Sequence, residues 1–116
     1  NTELLLLYWD IGKDIVQRDI ESKWGSKIYS TLSDELKDAF PGMKGFSVTN
    51  LKYMKRFYQF YSVEQEIGQQ PVDQLENIYI IPWGHQILLI SKCDTVREAL
   101  FYVNKTLENG WSRAVL

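Results

Sequence analysis

The chain has 116 residues, of which 45% are hydrophobic and 14% aromatic, and its formal net charge at pH 7 is −2. This length and apolar content suffice for one compact domain with a hydrophobic core, and no internal repeat, low-complexity tract or interdomain linker interrupts the sequence. Cys93 is the only cysteine, which excludes an intrachain disulfide and a cysteine-rich zinc site and favours a reducing compartment, most simply the cytoplasm. The apolar run from Leu4 to Leu7 is too short to span a membrane, so no membrane partner is expected.

Two amphipathic helices are predicted in the first 40 residues. The first covers residues 3–22, with an apolar face formed by Leu4, Tyr8, Ile11 and Ile15. Gly12 inside it costs about 1 kcal/mol relative to alanine, which suggests a close crossing with another helix. The second helix follows a break at residues 24–26, with Ser26 as its N-cap, and it ends at Pro41–Gly42. Its apolar face comprises Ile28, Leu32, Leu36 and Phe40.

A third helix is predicted to run from the N-cap Ser47 to about Tyr61. At about 100° per residue, one half of this helix is apolar and aromatic. That half contains Leu51, Tyr53, Met54, Phe57, Tyr58, Phe60 and Tyr61. Four polar or cationic residues fall within a sector of only about 100° on the other side. These residues are Lys52, Lys55, Arg56 and Gln59. The pattern predicts buried rings and exposed cations.

The remaining sequence predicts a connection and two further helices. From Ser62 to Pro82 the periodicity fades, and Ile78–Ile81 is interpreted as a short strand, so this region is either a wing or a long connection. A fourth helix covers Trp83 to Lys92 and buries Ile87, Leu88 and Ile90. A fifth begins after a cap at Asp94 or Thr95 and stops at Asn109–Gly110. The fold class is therefore mainly α: a helical bundle with a helix-turn-helix or winged-helix-like arrangement and, as an option, one short β element near residues 76–82.

Positive charge is concentrated in one segment of this acidic chain. Residues 41–60 contain Lys44, Lys52, Lys55 and Arg56 and no carboxylate, whereas residues 61–80 contain four carboxylates and no cation. Cations on one helix face can displace counterions from phosphates, and Asn50, Gln59 or Arg56 could hydrogen-bond to base edges. Two alternatives stay open: a solvated lysine face on a surface helix, and aromatic residues that stack on single-stranded bases. Against duplex binding, the turn from Pro41 to Phe46 is longer than the usual helix-turn-helix connection of about 3 to 4 residues.

The sequence offers little for catalysis. The Glu-X-Lys spacing of metal-dependent nucleases occurs at Glu21–Lys23, after Asp19, and at Glu35–Lys37, but in a helix such residues point about 200° apart and cannot share one ion. His85 is the only histidine and is expected to make one ordinary hydrogen bond, while Cys93 is expected to be a small buried hydrophobe. No catalytic residue, metal site or cofactor is predicted.

Six sequence blocks, in order, carry a family resemblance. They are LYWDIGKDIV (7–16), WGSK (24–27), FPGMKGFSVTNLKYMKRFY (40–58), IGQQPV (67–72), PWGHQILLISK (82–92) and ENGWSRAVL (108–116). Together they resemble the N-terminal domain of the YhcG family, bacterial proteins in which a C-terminal PDDEXK nuclease domain follows. The resemblance implies a helical domain that binds nucleic acid or mediates assembly. It also implies that residues 1–116 are a single N-terminal domain of a longer polypeptide, with the nuclease domain outside this chain.

Two functions are therefore predicted as alternatives. The first is a non-catalytic DNA-binding accessory domain that delivers the attached nuclease domain to its substrate. Its predicted contact residues are Lys44, Ser47, Asn50, Lys52, Lys55, Arg56, Gln59 and Arg113. Arg113 is included because it follows Ser112, a candidate N-cap whose backbone N–H groups could hold a phosphate. The second function is an assembly domain that forms a homo-oligomer or docks a partner protein. Apolar segments such as Ile78–Ile81 and the two ends of the chain would form the contact.

Overall fold

The computed structural model describes residues 2–18, 23, 25, 27–67 and 76–115. These residues form five α-helices and one short 3₁₀ helix, and they include no strand. The α-helices are α1 (Thr2–Gln17), α2 (Ile28–Ala39), α3 (Val48–Ile67), α4 (Trp83–Lys92) and α5 (Val96–Asn109). The 3₁₀ helix, Asn77–Tyr79, lies between α3 and α4. The mainly α fold class is confirmed.

Helix ends follow the predicted capping residues where the structure describes them. The hydroxyl of Ser47 accepts a hydrogen bond from the Asn50 N–H at 3.2 Å, which caps the start of α3. Thr95 caps α5 in the same way through the Glu98 N–H, and α5 ends before Gly110 as predicted. Helix α3 extends six residues beyond the predicted end at Tyr61. The predicted cap Ser26 lies outside the described residues.

The predicted strand at Ile78–Ile81 is wrong. Residues 77–79 form the 3₁₀ helix, and Ile80 and Ile81 continue as a turn. Ile78 and Ile81 are both 1% exposed, and a spacing of three residues places two side chains on the same side of a helical turn. The described residues of the region predicted as a wing, 62–67 and 76–82, are thus helical or turn, and the winged-helix detail is not confirmed.

Helix α3 is the centre of the domain and packs against α1, α2, α4 and α5. Its residues enter two hydrophobic clusters. Leu51 and Met54 pack with Tyr8, Ile15, Tyr29 and Phe46, whereas Phe57 and Tyr61 pack with residues of α4, α5 and the 3₁₀ helix. The prediction that α3 has one apolar, buried side is confirmed, because Leu51, Met54, Phe57 and Tyr61 are all fully buried.

Helices α1 and α3 touch backbone to backbone at Gly12. A Cβ atom at Gly12 would overlap the carbonyl oxygen of Met54 and would lie 2.7 Å from its carbonyl carbon and 3.2 Å from Cβ of Tyr58. No larger residue fits without moving one helix. The close crossing that Gly12 predicted is therefore present, and it fixes which side of α3 is covered by α1.

We expect Gly12→Ala to lower the free energy of unfolding by about 1–3 kcal/mol, because overpacking outweighs a helix-propensity gain of about 1 kcal/mol. The matched control is Gly84→Ala in α4, where an added Cβ would meet only the flexible side chain of Arg113, at 3.2 Å. Urea unfolding followed by circular dichroism gives both values. Equal stability of the two variants would show that the α1–α3 contact tolerates expansion.

Gln86 is a fully buried amide that the sequence pattern did not reveal. Its Oε1 accepts a hydrogen bond from the Tyr61 hydroxyl at 2.7 Å, and its Nε2 donates one to the carbonyl oxygen of Ile78 at 2.8 Å. Helix α4 therefore buries Gln86, Leu89 and Ile90, not the predicted set with Ile87 and Leu88, which are only half-buried. The buried amide joins α3, α4 and the 3₁₀ helix.

Three tyrosines should make the domain sensitive to alkali. Burial raises the pKa values of Tyr8 and Tyr61. Burial, together with the charge of Asp10, raises the pKa of Tyr79 to about 12. The unfolded chain, with tyrosine pKa values of about 10, therefore binds fewer protons than the folded domain above that pH. Stability is complete below about pH 10 and should fall as the pH rises toward 12, with the tyrosinate absorbance of these three residues appearing together with loss of helical circular dichroism. Full tyrosinate formation near pH 10 with the helices intact would contradict this expectation.

Candidate functional site

The solvent-facing side of α3 forms one wall of an open cleft of about 260 Å³. Tyr29 of α2 also lines this cleft. The residues that α3 contributes are Lys52, Lys55, Arg56 and Gln59. These are the four residues predicted to share the polar sector of α3, and three of them, Lys52, Arg56 and Gln59, are exposed, while Lys55 is half-buried. The structure thus confirms that this sector faces solvent. It also shows an aromatic residue, Tyr29, in the lining of the same cleft.

Tyr29 is held in place by the packing of α2. It is 1% exposed, and Ser33, one turn later, donates a hydrogen bond from its hydroxyl to the carbonyl oxygen of Phe46. Nζ of Lys52 lies 5.5 Å from the centroid of the Tyr29 ring, a cation–π distance. Of the predicted apolar face, Ile28, Leu32 and Leu36 are half-buried and pack against the core, whereas Phe40 is exposed. The fully buried residues of α2 are Tyr29 and Ser33. Tyr29 directly follows Ile28, so an apolar face predicted one residue further along the chain would have included it.

Arg56 is anchored to the end of α4. Its Nη2 donates a hydrogen bond to the carbonyl oxygen of Ile90 at 3.1 Å. Ile90 lies in the last turn of α4, where carbonyl groups have no partner within the helix and the helix dipole favours a cation. A guanidinium carries five N–H donors in a fixed planar arrangement, so the contact orients the group and leaves most of its donors for a ligand.

The cleft is electrostatically one-sided. Among the residues that the structure describes, its lining contains three cations and no carboxylate, and neither Lys52 nor Arg56 forms an ion pair. Lys52 and Arg56 lie one helical turn apart, and like charges at that spacing repel each other. An anion placed between them would relieve that repulsion. The chemistry that the cleft supports is therefore the binding of a phosphate or a similar anion.

Two predicted contact residues have structural roles within the domain. The side-chain amide of Asn50 donates from Nδ2 to the carbonyl oxygen of Gly45 at 2.7 Å and accepts at Oδ1 from Nε1 of Trp83 at 2.7 Å. The Tyr8 hydroxyl also hydrogen-bonds to Asn50. Gly45 has a φ of 104°, and a Cβ there would overlap that same hydroxyl, so the turn needs glycine. The second residue, Ser47, is occupied as the N-cap of α3.

The other two predicted residues lie outside the cleft lining. Lys44 is exposed in the turn before α3. Arg113 is exposed, and its side chain lies beside Gly84 at the start of α4, whereas Arg56 contacts Ile90 near the end of that helix. Residues 113–115 form a turn, not the start of a helix. Of the eight predicted residues, the structure brings four together in one cleft.

His85 and Cys93 are positioned as structural residues. Nε2 of His85 lies 2.9 Å from the carbonyl oxygen of Trp111, which must accept the hydrogen bond, so the one ordinary partner expected for this histidine is present. Cys93 is half-buried, less than predicted. Burial, together with Glu98 and Asp94, raises the pKa of its thiol to about 11, so the thiol is protonated at neutral pH and is a weak nucleophile. Glu35 and Lys37 lie within α2 as expected, while Asp19 and Glu21 lie outside the described residues.

The fold and the cleft together define an all-helical domain with a cationic groove. No group of three or more His, Cys, Asp or Glu side chains in the described ranges could hold a metal ion. A family model described as the DUF1016 N-terminal domain matches residues 1–116, so the chain belongs to that family. This match is consistent with the resemblance to the YhcG N-terminal domain, whereas the attached nuclease domain stays a prediction.

No curated protein and no solved structure matches the chain. None of the helices in the described part of the chain is long and apolar enough to cross a lipid bilayer.

We expect Asn50→Ala to act on stability, since it leaves the Trp83 N–H and the Gly45 carbonyl without their partners. The loss should be about 1–3 kcal/mol in the free energy of unfolding. Gln59→Ala, on the exposed face of the same helix, is the matched control and should change stability by no more than about 0.5 kcal/mol. Urea unfolding measures both. A stable Asn50→Ala variant would return Asn50 to the list of candidate ligand contacts.

Proposed function

We propose that this domain is a non-catalytic module that binds nucleic acid through the cationic cleft between α2 and α3. In a protein that carries the nuclease domain expected from the family resemblance, it would hold that domain on its substrate. The observation that carries the proposal is the grouping of Lys52, Lys55 and Arg56 around one open cleft whose described lining has no carboxylate. Such a group attracts polyanions even though the net charge of the chain is −2.

The geometry supports this proposal over a merely solvated lysine face. Two of the cations are held by the domain itself: Lys52 lies over the Tyr29 ring, and Arg56 is hydrogen-bonded to Ile90. Flexible surface lysines lose rotamer entropy when they bind a ligand, whereas cations that are already positioned lose less. The cleft therefore offers an anion site that is partly preorganised.

The alternative, an assembly domain, has weaker support. Its predicted contact was Ile78–Ile81, but Ile78 and Ile81 are core residues, and only Ile80 in that segment is exposed, at 50%. Other exposed apolar side chains, such as Phe101 and Leu107 on α5, have no feature beside them that indicates a partner. Sedimentation of the chain with and without DNA separates the two functions, because a tight dimer that is indifferent to DNA would favour assembly.

We expect Lys52→Glu to weaken binding to a short fluorescein-labelled DNA duplex by about tenfold or more at about 50 mM salt, because one phosphate contact is replaced by a repulsion. Fluorescence anisotropy gives the dissociation constants. Lys52 is the preferred position, since reversing Arg56 would also place a carboxylate against the Ile90 carbonyl and destabilise α4.

The matched control for this experiment is Lys13→Glu. It changes the net charge by the same amount, and Lys13 is exposed on α1. Helix α1 contacts α3 at Met54, about 150° around the helix from the centre of the cleft residues. Its binding should stay within about twofold of the unmodified chain, because surface charges beyond a Debye length are largely screened. Equal weakening by both substitutions, or unchanged binding in Lys52→Glu, would remove the cleft from the proposal.

A further inference from the structure

We infer that the cleft takes the phosphate backbone of a nucleic acid and reads no base sequence. This inference rests on the proposed function and specifies its ligand as phosphodiester groups. Three features of the described residues carry it: the occupation of the Asn50 amide, the position of α3 beside α2, and the burial of the aromatic rings.

Of the three side chains predicted to read base edges, the amide of Asn50 is fully occupied, and Arg56 uses one of its donors within the domain. Sequence readout needs side-chain donors and acceptors that can pair with bases in a groove. Both ends of the Asn50 amide are hydrogen-bonded inside the domain, to Gly45 and Trp83. Arg56 is oriented by the Ile90 carbonyl. Gln59 is then the one amide that the cleft lining presents.

The shape of the cleft also keeps bases at a distance. The major groove of B-DNA is about 12 Å wide and admits one helix, itself about 10–12 Å across with its side chains. The cationic face of α3 has a second helix beside it, because α2 packs against α3 and its Tyr29 also lines the cleft. Two helices side by side exceed the width of the groove. A phosphate on the outside of a duplex can enter the cleft, whereas base edges stay out of reach.

Stacking on aromatic rings is not available either. The rings of Phe57 and Tyr61 on α3 are fully buried, and Tyr58 is 8% exposed. Trp9 packs edge-on against Phe57, with ring centroids 5.4 Å apart. Tyr29, although it lines the cleft, is 1% exposed and has Lys52 over its ring. The aromatic residues therefore serve the core, and single strands gain nothing from base stacking in this cleft.

The experiment measures competition and salt dependence with the 116-residue chain. Unlabelled duplexes of equal length, one A·T-only, one G·C-only and one mixed, compete with the labelled duplex in the anisotropy assay. We expect their competition constants to agree within about threefold, because phosphate contacts carry no sequence information. With Lys52 and Arg56 on phosphates, the slope of log K against log salt should be about −2, and Lys52→Glu should reduce its magnitude by about 1.

The outcomes separate the two proposals. A preference of about tenfold or more for one duplex, or a change in preference in Gln59→Ala, would overturn sequence-independent binding while leaving nucleic-acid binding intact. A clear preference for single strands of equal length would show base stacking and overturn it as well. Binding to no duplex at low salt would overturn both proposals. Inorganic phosphate is also added as a competitor, at the same total negative charge as the unlabelled duplex. If it displaces the labelled duplex as well as that duplex does, the cleft is a site for free anions, and the assignment to the phosphate backbone is overturned.

Discussion

The backbone contact between Gly12 and Met54 sets the rest of the arrangement. Because α1 lies directly on α3 at this point, one side of α3 is committed to the core along with its aromatic residues. The cationic sector lies about 150° away around the helix, beside α2 and the last turn of α4. The position of the cleft thus depends on a glycine in a different helix. The same packing keeps the cations of α3 from turning inward.

Within the cleft, structural and candidate binding roles are shared by the same side chains. Lys52 covers a buried tyrosine, and Arg56 completes the last turn of α4. These contacts are modest in energy, because exposed cation–π pairs and single hydrogen bonds contribute about 0.5–1.5 kcal/mol each. Their larger effect is to hold two charges in a limited range of positions. Cations held in this way favour anions whose charges match their positions, whereas freely moving lysines do not select between such anions.

The sequence predicted much of this fold, since helical periodicity and capping are local properties. The five helices, the caps at Ser47 and Thr95, and the close contact at Gly12 all followed from residues within a few positions of each other. The errors concern partners distant in sequence. Trp83, 33 residues away, occupies the amide of Asn50, and Tyr61, 25 residues away, makes a buried Gln86 acceptable. The apolar run at Ile78–Ile81 satisfied a strand pattern equally well, and only its packing on α3 and α5 selected a helical turn.

The hydrogen bond from Arg56 to Ile90 also makes the far end of α4 part of any ligand's environment. If an anion draws the guanidinium away from that carbonyl, the helix terminus loses its cap and frays more readily; if the cap persists, the anion meets a guanidinium already aligned. The two equilibria are coupled reciprocally. If an anion in the cleft changes the stability of the last turn of α4 by some factor, then a change that stabilises this turn changes the affinity of the cleft for the anion by the same factor. The fraying of the helix end near Cys93 is thus coupled to anion binding in the cleft.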